Sequence, residues 1–411
     1  VLAIVSAAAV FVSGPPSPVS AGAPPGAFSA ERAMAHVARI AVRPHPWGTA
    51  ANREVRRYLE AQLEDLGFDV RIQRTREGLP VAVENVVAMR RGADSTGAVA
   101  LCAHYDSTPF GPGAGDDGAA VGALLETARA LGASGALRND LLILITDGEE
   151  AGLLGAQAFV GGDPHAANVS LVLNFEARGT TGRSLMFETS PGNRSLVRHY
   201  AEAAKRPAAC SLMTAFYRLM PRTTDFAIFR KRGYPGLNFA FIGSAAHYHA
   251  KTDTPQNLSQ ASLQHHGDVM LGLARRLGTT DLRELSHDED ATYFDLLGRF
   301  FVRYPPSFDW PLTLLALVLV AAVFRRARRG AALNARRLGR GIYLGLRLVA
   351  ACAIVAGASG YALLELASDH VSRGARATHA DPLFFPALVL AFLACATGLA
   401  RRAGRRGEGV D

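Results

Sequence analysis

Residues 141–150 read Leu-Leu-Ile-Leu-Ile-Thr-Asp-Gly-Glu-Glu, an unbroken apolar run that stops abruptly in three carboxylates. A short apolar run bounded by turn residues is the pattern of a strand buried on both faces, and such strands occur in sheets covered by helices on either side. Comparable runs stand at 81–89, 98–103, 171–175 and 237–242. Helix-like stretches at 118–131 and 152–160 flank the run at 141–145. Further upstream, Val55, Leu59, Leu63 and Leu66 recur at helical spacing, with Gly67 placed to end the helix. This alternation predicts an α/β domain, a largely parallel, mixed central sheet flanked by helices. Its ligand crevice is expected beyond the carboxyl ends of the strands.

What terminates each run carries the chemistry. The run at 98–103 leads into His104-Tyr105-Asp106 and, after a glycine-rich loop, Asp116-Asp117-Gly118. The run at 141–145 ends in Asp147-Gly148-Glu149-Glu150, and 171–175 ends in Glu176. The last run leads to His247-Tyr248-His249 and Thr252-Asp253-Thr254-Pro255. Taken singly, each piece has a plain explanation. Glu149 and Glu150 could complement a helix dipole, Asp116-Asp117-Gly118 could be a turn and a cap, and a lone histidine is usually a hydrogen-bonded core or surface residue. Together they crowd carboxylates and imidazoles at one sheet edge, where like charges repel strongly in a partly dry site. A cation resolves that conflict. Nitrogen and oxygen donors without thiolate suit zinc in an open, catalytic site, with manganese or cobalt as replacements.

In this order His-x-Asp-Ser, Asp-Asp-Gly, Asp-Gly-Glu-Glu-x-Gly-Leu-x-Gly and Tyr-His-x-x-x-Asp-Thr-Pro resemble the co-catalytic two-zinc aminopeptidases of clan MH, the aminopeptidase S and aminopeptidase Y type. The resemblance runs from about Arg43 to Asn257, over half the chain, and is nearest to the membrane-bound endoplasmic-reticulum metallopeptidase (Fxna-like) branch. It implies the zinc-aminopeptidase fold and two zinc ions per chain. Asp116 is then the carboxylate bridging both ions, His104 and Glu176 complete one ion's ligands, and Glu150 and His249 complete the other's. By the same resemblance the Asp116–Asp117 peptide is cis, Glu149 is the general base, Asp106 orients His104, and Tyr248 donates to the tetrahedral oxyanion. Glu176 departs from the soluble aminopeptidases, which usually have Asp there. His249 is favoured over His247 because it directly follows Tyr and precedes Asp253-Thr254-Pro255 by four residues, as in the family. Asp225 matches a family Asp near the pocket and equally suits a helix N-terminus, whereas His265-His266 is expected on a helix surface.

The implied reaction is hydrolysis of an amide bond, with peptide or protein N-termini as substrate. A single-zinc, glutaminyl-cyclase-like acyltransferase and a catalytically inactive binding domain of the same fold are the alternatives.

Charge and hydropathy supply the topology. The chain of 411 residues carries a net charge of +8, yet from Trp310 onward 14 Arg face 5 acids, so the rest is close to neutral. That distribution argues against nucleic-acid binding and for arginines that set membrane orientation. Residues 310–324, 348–364 and 382–400 carry no charged side chain, and about three transmembrane helices are expected in 310–411 although a span takes about 20 residues. Arginine clusters at 325–329 and 401–406 are expected in the cytoplasm, which places the body outside it. Residues 1–12 read as the back half of an N-terminal anchor or signal segment, and Val1 in place of Met suggests an earlier start. The division expected is 13–27 linker, 28–285 catalytic domain, 286–309 linker and 310–411 membrane domain, a multi-pass protein whose lipid partner is the bilayer. The four cysteines settle neither the redox compartment nor whether Cys102 and Cys210 pair, and nothing in the sequence specifies oligomeric state.

Overall fold

A computed structural model describes residues 14–76, 78–218, 223–285, 289–329 and 343. In chain order its helices and strands are α1 (Ala30–Ile40), α2 (Ala50–Asp65), β1 (Asp69–Thr75), β2 (Val83–Arg90), β3 (Ala98–His104), α3 (Ala120–Gly132), β4 (Asp140–Thr146), α4 (Leu154–Gly162), β5 (Val169–Ala177), β6 (Leu185–Thr189), α5 (Arg194–Ala203), α6 (Ser211–Tyr217), α7 (Asp225–Lys231), β7 (Gly236–Phe241), α8 (Gln260–Thr279), β8 (Thr292–Leu296), β9 (Phe300–Tyr304) and α9 (Asp309–Arg329).

The first seven strands form one sheet in the order β1-β2-β4-β3-β5-β7-β6. Its middle four, β4, β3, β5 and β7, run parallel, while β2 on one side and β6 on the other run against them and β1 pairs antiparallel with β2. The expected mixed, largely parallel sheet is therefore present, and all five apolar runs are strands in it. β3, β4 and β7 are buried along their whole length. Alternate residues feed two cores. Val99, Leu101, Leu141, Ile143 and Ile145 pack with α1, α3 and α8, whereas Ala100, Cys102, Leu142 and Leu144 pack with Phe159 of α4 and Phe226 and Phe229 of α7. Each buried Leu or Ile contributes roughly 1.5–3 kcal/mol, so covering both faces is what holds such an apolar sheet in water.

Helix ends follow local chemistry. Ser29 caps α1, Thr49 caps α2 and Ser259 caps α8, each side chain accepting a first-turn N–H. Gly67, at φ 77°, ends the chain's turn after α2 as expected. The chain leaves β3 for β4 on one side and leaves β5 for β6 and β7 on the other, so a crevice opens at the carboxyl edges of the neighbours β3 and β5.

In both expected linkers, residues 14–27 and 289–306 belong to the same compact unit as the sheet. Residues 14–28 are held through their backbone: Arg129 donates to the carbonyls of Pro25 and Ala27, Arg206 to Gly14, Arg275 to Gly26 and Arg32 to Ala21, Ala23 and Ala27. Gln264 accepts the Val19 N–H at 3.0 Å. Within the second stretch, 286–309, β8 and β9 make a hairpin because Tyr293 finds a buried place and Asp295 pairs with Arg183 at 2.9 Å. Cys102 and Cys210 are both free.

A second unit begins at Ser307. Its helix is long and apolar enough over Pro306–Arg326 to cross a membrane, with mean hydropathy 2.0. The other two expected spans, at 348–364 and 382–400, and the segment 1–12 lie outside the described residues.

Candidate metal centre

The strand ends converge. β3 delivers His104, the loop after it delivers Asp116, β4 is followed by Glu149 and Glu150, β5 carries Glu176 and the loop after β7 carries His249. Three groups of donor atoms lie within 4.8 Å of one another: His104, Asp116 and Glu176; Asp116, Glu150 and His249; and His104, Glu149 and Glu150. Asp116 belongs to the first two. Its Oδ1 lies 3.2 Å from Nε2 of His104 and its Oδ2 lies 2.9 Å from Nε2 of His249. Glu176 stands 3.7 Å from Nε2 of His104, and Glu150 stands 3.0 Å from Nε2 of His249. The Asp116–Asp117 peptide is cis.

These atoms suit a cation. Nδ1 of His104 faces the carbonyl of Asp106 at 3.0 Å, and a carbonyl only accepts, so Nδ1 carries a proton and Nε2 is the ring atom that can give its lone pair to a cation. Nε2 of His249 and Oε1 of Glu150 are both buried and make no well-formed hydrogen bond, although they face each other. Such polar atoms are costly to bury unless something else satisfies them.

The electrostatics express the same crowding. Burial opposes the charged form of His104, but the Asp106 and Asp116 carboxylates outweigh it and its pKa is raised well above the ordinary value. His249, with Asp116 and Glu150 beside it, is raised to about 9 against the opposing effect of burial. Asp116 is held below the usual carboxylate range because the two imidazoles outweigh its burial. Burial, reinforced by Asp116 and Asp225, pushes Glu176 up to about 8. Glu149 is raised well above its ordinary value by burial and by the carboxylates of Glu176, Asp225 and Asp116.

Other residues hold this frame. The Asp106 carboxylate accepts the N–H groups of Glu149 and Glu150. Asp253 accepts those of Gly115 at 2.6 Å and Asp116 at 3.1 Å, and Asp117 accepts the N–H of His104 at 3.2 Å. Sequence reasoning had no role for Asp253 or Asp117, although both stand inside the motifs. Asp225 begins α7, is buried and accepts from the Thr146 hydroxyl. His247 joins none of the three donor groups. His265 and His266, expected on a surface, are buried: Ser184 donates its N–H to His265, its hydroxyl contacts His266, and the His266 ring stands edge-on to Phe175 and Phe241. They lie on the sheet-facing side of α8, which the sequence alone does not orient.

Tyr248 stacks on His249 with ring centroids 3.7 Å apart. Beside it opens a cavity of about 610 Å³ with Leu185, Phe187, Met213, Phe216 and Ile242 in its walls. Arg178 is the one charged residue among the described residues of its lining; the guanidinium stands 5.8 Å from the Tyr217 ring and donates to the Thr223 carbonyl at 3.3 Å.

Known proteins share this arrangement of sequence and fold. Endoplasmic reticulum metallopeptidase 1 of Homo sapiens is 34% identical over 231 residues, 54% of this chain and 26% of that protein. The vacuolar membrane protease of Candida dubliniensis is 29% identical over 278 residues, 64% of this chain and 30% of that protein. The chain thus spans about a third or less of the length of these curated relatives. Among solved structures, a Zn-dependent exopeptidase from Parabacteroides distasonis has the same fold, with a TM-score of 0.50 at 23% identity over 61% of this chain and 98% of that one. Residues 85–274, which contain every donor of the centre, match the model of peptidase family M28.

Proposed function

We propose that this chain is a membrane-anchored, two-zinc aminopeptidase. The observation that carries the reading is Asp116, whose two carboxylate oxygens face two different histidines. His104, Glu176 and one oxygen of Asp116 would hold one ion; Glu150, His249 and the other oxygen would hold the second. Zinc held there supplies a Lewis acid that acidifies water and polarises an amide carbonyl.

The chain's own groups do the rest. Glu149 takes the proton of the attacking water and passes it to the leaving amine, a task that suits a carboxylate whose basicity burial has raised well above the ordinary value. Tyr248 donates its hydroxyl to the carbonyl oxygen as negative charge develops there. Asp106 fixes His104 through Nδ1 and fixes both glutamates through their N–H groups. The apolar cavity beside Tyr248 takes the side chain of the residue being released.

Metal analysis of the full chain, coupled to a panel of aminoacyl amides and their N-acetylated counterparts, tests this. Two zinc ions per chain and cleavage of the free amines only are expected. One zinc per chain with cyclisation of N-terminal glutamine would establish the single-zinc acyltransferase instead.

We assign the body to the extracytoplasmic side on the arginine surplus after Trp310. Protease added to intact cells is expected to digest the body and to spare a reporter placed after Arg329; protection of the body overturns the topology.

A further inference from the structure

The β8–β9 hairpin carries large apolar residues on both faces. Its register sets Phe294 opposite Val302 and Leu296 opposite Phe300 on one face, and Tyr293 opposite Arg303 and Asp295 opposite Phe301 on the other. The inner face is settled: Tyr293 is buried, its ring stacks with Phe301 at 6.0 Å, and Phe301 meets Tyr200 edge-on. A hairpin lying on a soluble body presents polar residues outward. Here Phe300 is 67% exposed, Leu296 52%, Leu297 at the turn 42% and Phe294 37%. Two residues after β9 begins the apolar stretch Pro306–Arg326, whose first turn adds exposed Phe308 and Trp310. Aromatic residues gathered where a span leaves the bilayer are the composition of a membrane interface.

We propose that this hairpin is a wedge seated in the bilayer surface, with Phe294, Leu296, Leu297 and Phe300 among the lipid headgroups and upper acyl chains. The inference rests on the reading of Pro306–Arg326 as a membrane span. Chain continuity selects lipid as the occupant: Tyr304 and Pro306 are two residues apart, at most about 7 Å of extended chain, so a span that enters at Pro306 brings the open end of the hairpin to the bilayer, and Phe300 lies only four residues further along the same strand, roughly 13 Å. The wedge is firmly tied to the body. Ser211 accepts the Tyr293 N–H at 2.8 Å, the Thr214 and Tyr293 hydroxyls lie 3.1 Å apart, and Cys210 forms a β-bridge with Phe294. Cys210 also lines the apolar cavity beside Tyr248. Seating the hairpin therefore holds that cavity near the lipid surface, where amphipathic peptides concentrate.

The test uses the full chain in phosphatidylcholine vesicles. Phe300→Trp and, separately, Leu296→Trp are placed in a Trp310→Phe background, with half-buried Trp47 as internal reference. Lipids brominated high on the acyl chain are expected to quench the new tryptophan by at least about half and leave Trp47 unchanged, while aqueous iodide has little effect. Quenching by iodide alone, with the chain retained in the membrane after carbonate washing, overturns the wedge and leaves the span standing. Resistance to both quenchers would show a protein covering and also overturns it. Release of the chain by carbonate overturns the span, and the wedge with it.

Discussion

The carboxylate of Asp106 accepts the backbone N–H of Glu149 at 3.0 Å, and its second oxygen accepts that of Glu150 at 3.2 Å. One side chain on the β3 loop therefore sets the position of both glutamates beyond β4 while its own carbonyl fixes His104. Asp106→Asn keeps the size but turns an NH2 group toward one of those N–H donors. We expect a loss of about 10–100-fold in zinc affinity or turnover, the scale seen when residues that orient ligands are changed. Unaltered zinc titration and kinetics would show that the glutamates are positioned by other contacts.

Glu149 and Glu150 are neighbours with separate duties, because only Glu150 reaches His249 and Asp116 in one donor group. Glu149→Gln should retain both metal ions and lose at least about a hundredfold in turnover. Glu150→Gln should lose metal as well. Metal analysis of the two purified variants decides the matter, and a metal-depleted Glu149→Gln protein would mean the roles are exchanged.

His249→Ala and Asp116→Asn are each expected to abolish activity together with metal content, whereas His247→Ala retains both, since His247 belongs to none of the three donor groups. Loss of metal from the His247 variant would overturn the ligand assignment.

Without metal, the pKa of His249 is raised to about 9 and that of Glu176 to about 8. Both are then mainly protonated at neutral pH, and both must lose their protons to bind a cation. His104, whose pKa is raised well above the ordinary value, must lose a proton as well, so zinc uptake by the chelator-stripped protein should release roughly three protons near neutral pH, and its affinity should rise as pH increases toward those pKa values. Calorimetry in buffers of different ionisation enthalpy measures the release; identical heats in all buffers would refute it.

The cavity beside Tyr248 joins large apolar walls to a cation, Arg178. Phe187→Ala should lower kcat/KM for leucyl and phenylalanyl amides by about tenfold relative to alanyl amide, as expected for losing apolar contact in a pocket. Arg178→Leu should relax discrimination against lysyl and arginyl amides, which the guanidinium repels. Equal losses across the whole panel would remove the cavity from substrate selection.

The strand ends of the centre were legible because a strand buried on both faces leaves an apolar run with a sharp polar edge, as at Ile145 before Asp147, Glu149 and Glu150. Edge strands leave no such mark. β1 reads Asp-Val-Arg-Ile-Gln-Arg-Thr, pairs on one side only and has a single buried residue. β6 is short and antiparallel to β7, so its pairing depends on a partner 50 residues away that local patterning does not reveal. Polar residues whose partners are remote were equally hidden: His265 and His266 are satisfied through Ser184, and Asp253 acts on the N–H groups of Gly115 and Asp116. The stretch 286–309 was read as a linker because apolar residues in a short hairpin resemble loop composition until Tyr293 and Phe301 are seen packed together.

The backbone clasp on residues 14–28 also imposes a schedule. Val19 is held by Gln264 and Gly26 by Arg275, partners that lie 245 and 249 residues later in the chain. At about 5–20 residues per second, a ribosome needs roughly 12–50 seconds to make that interval. Throughout that time residues 14–28 have no α8 to lie against, while β1 to β7 and the helices between them are made. The sheet can close before residues 14–28 are locked down, and the emergence of α8 fixes them in place.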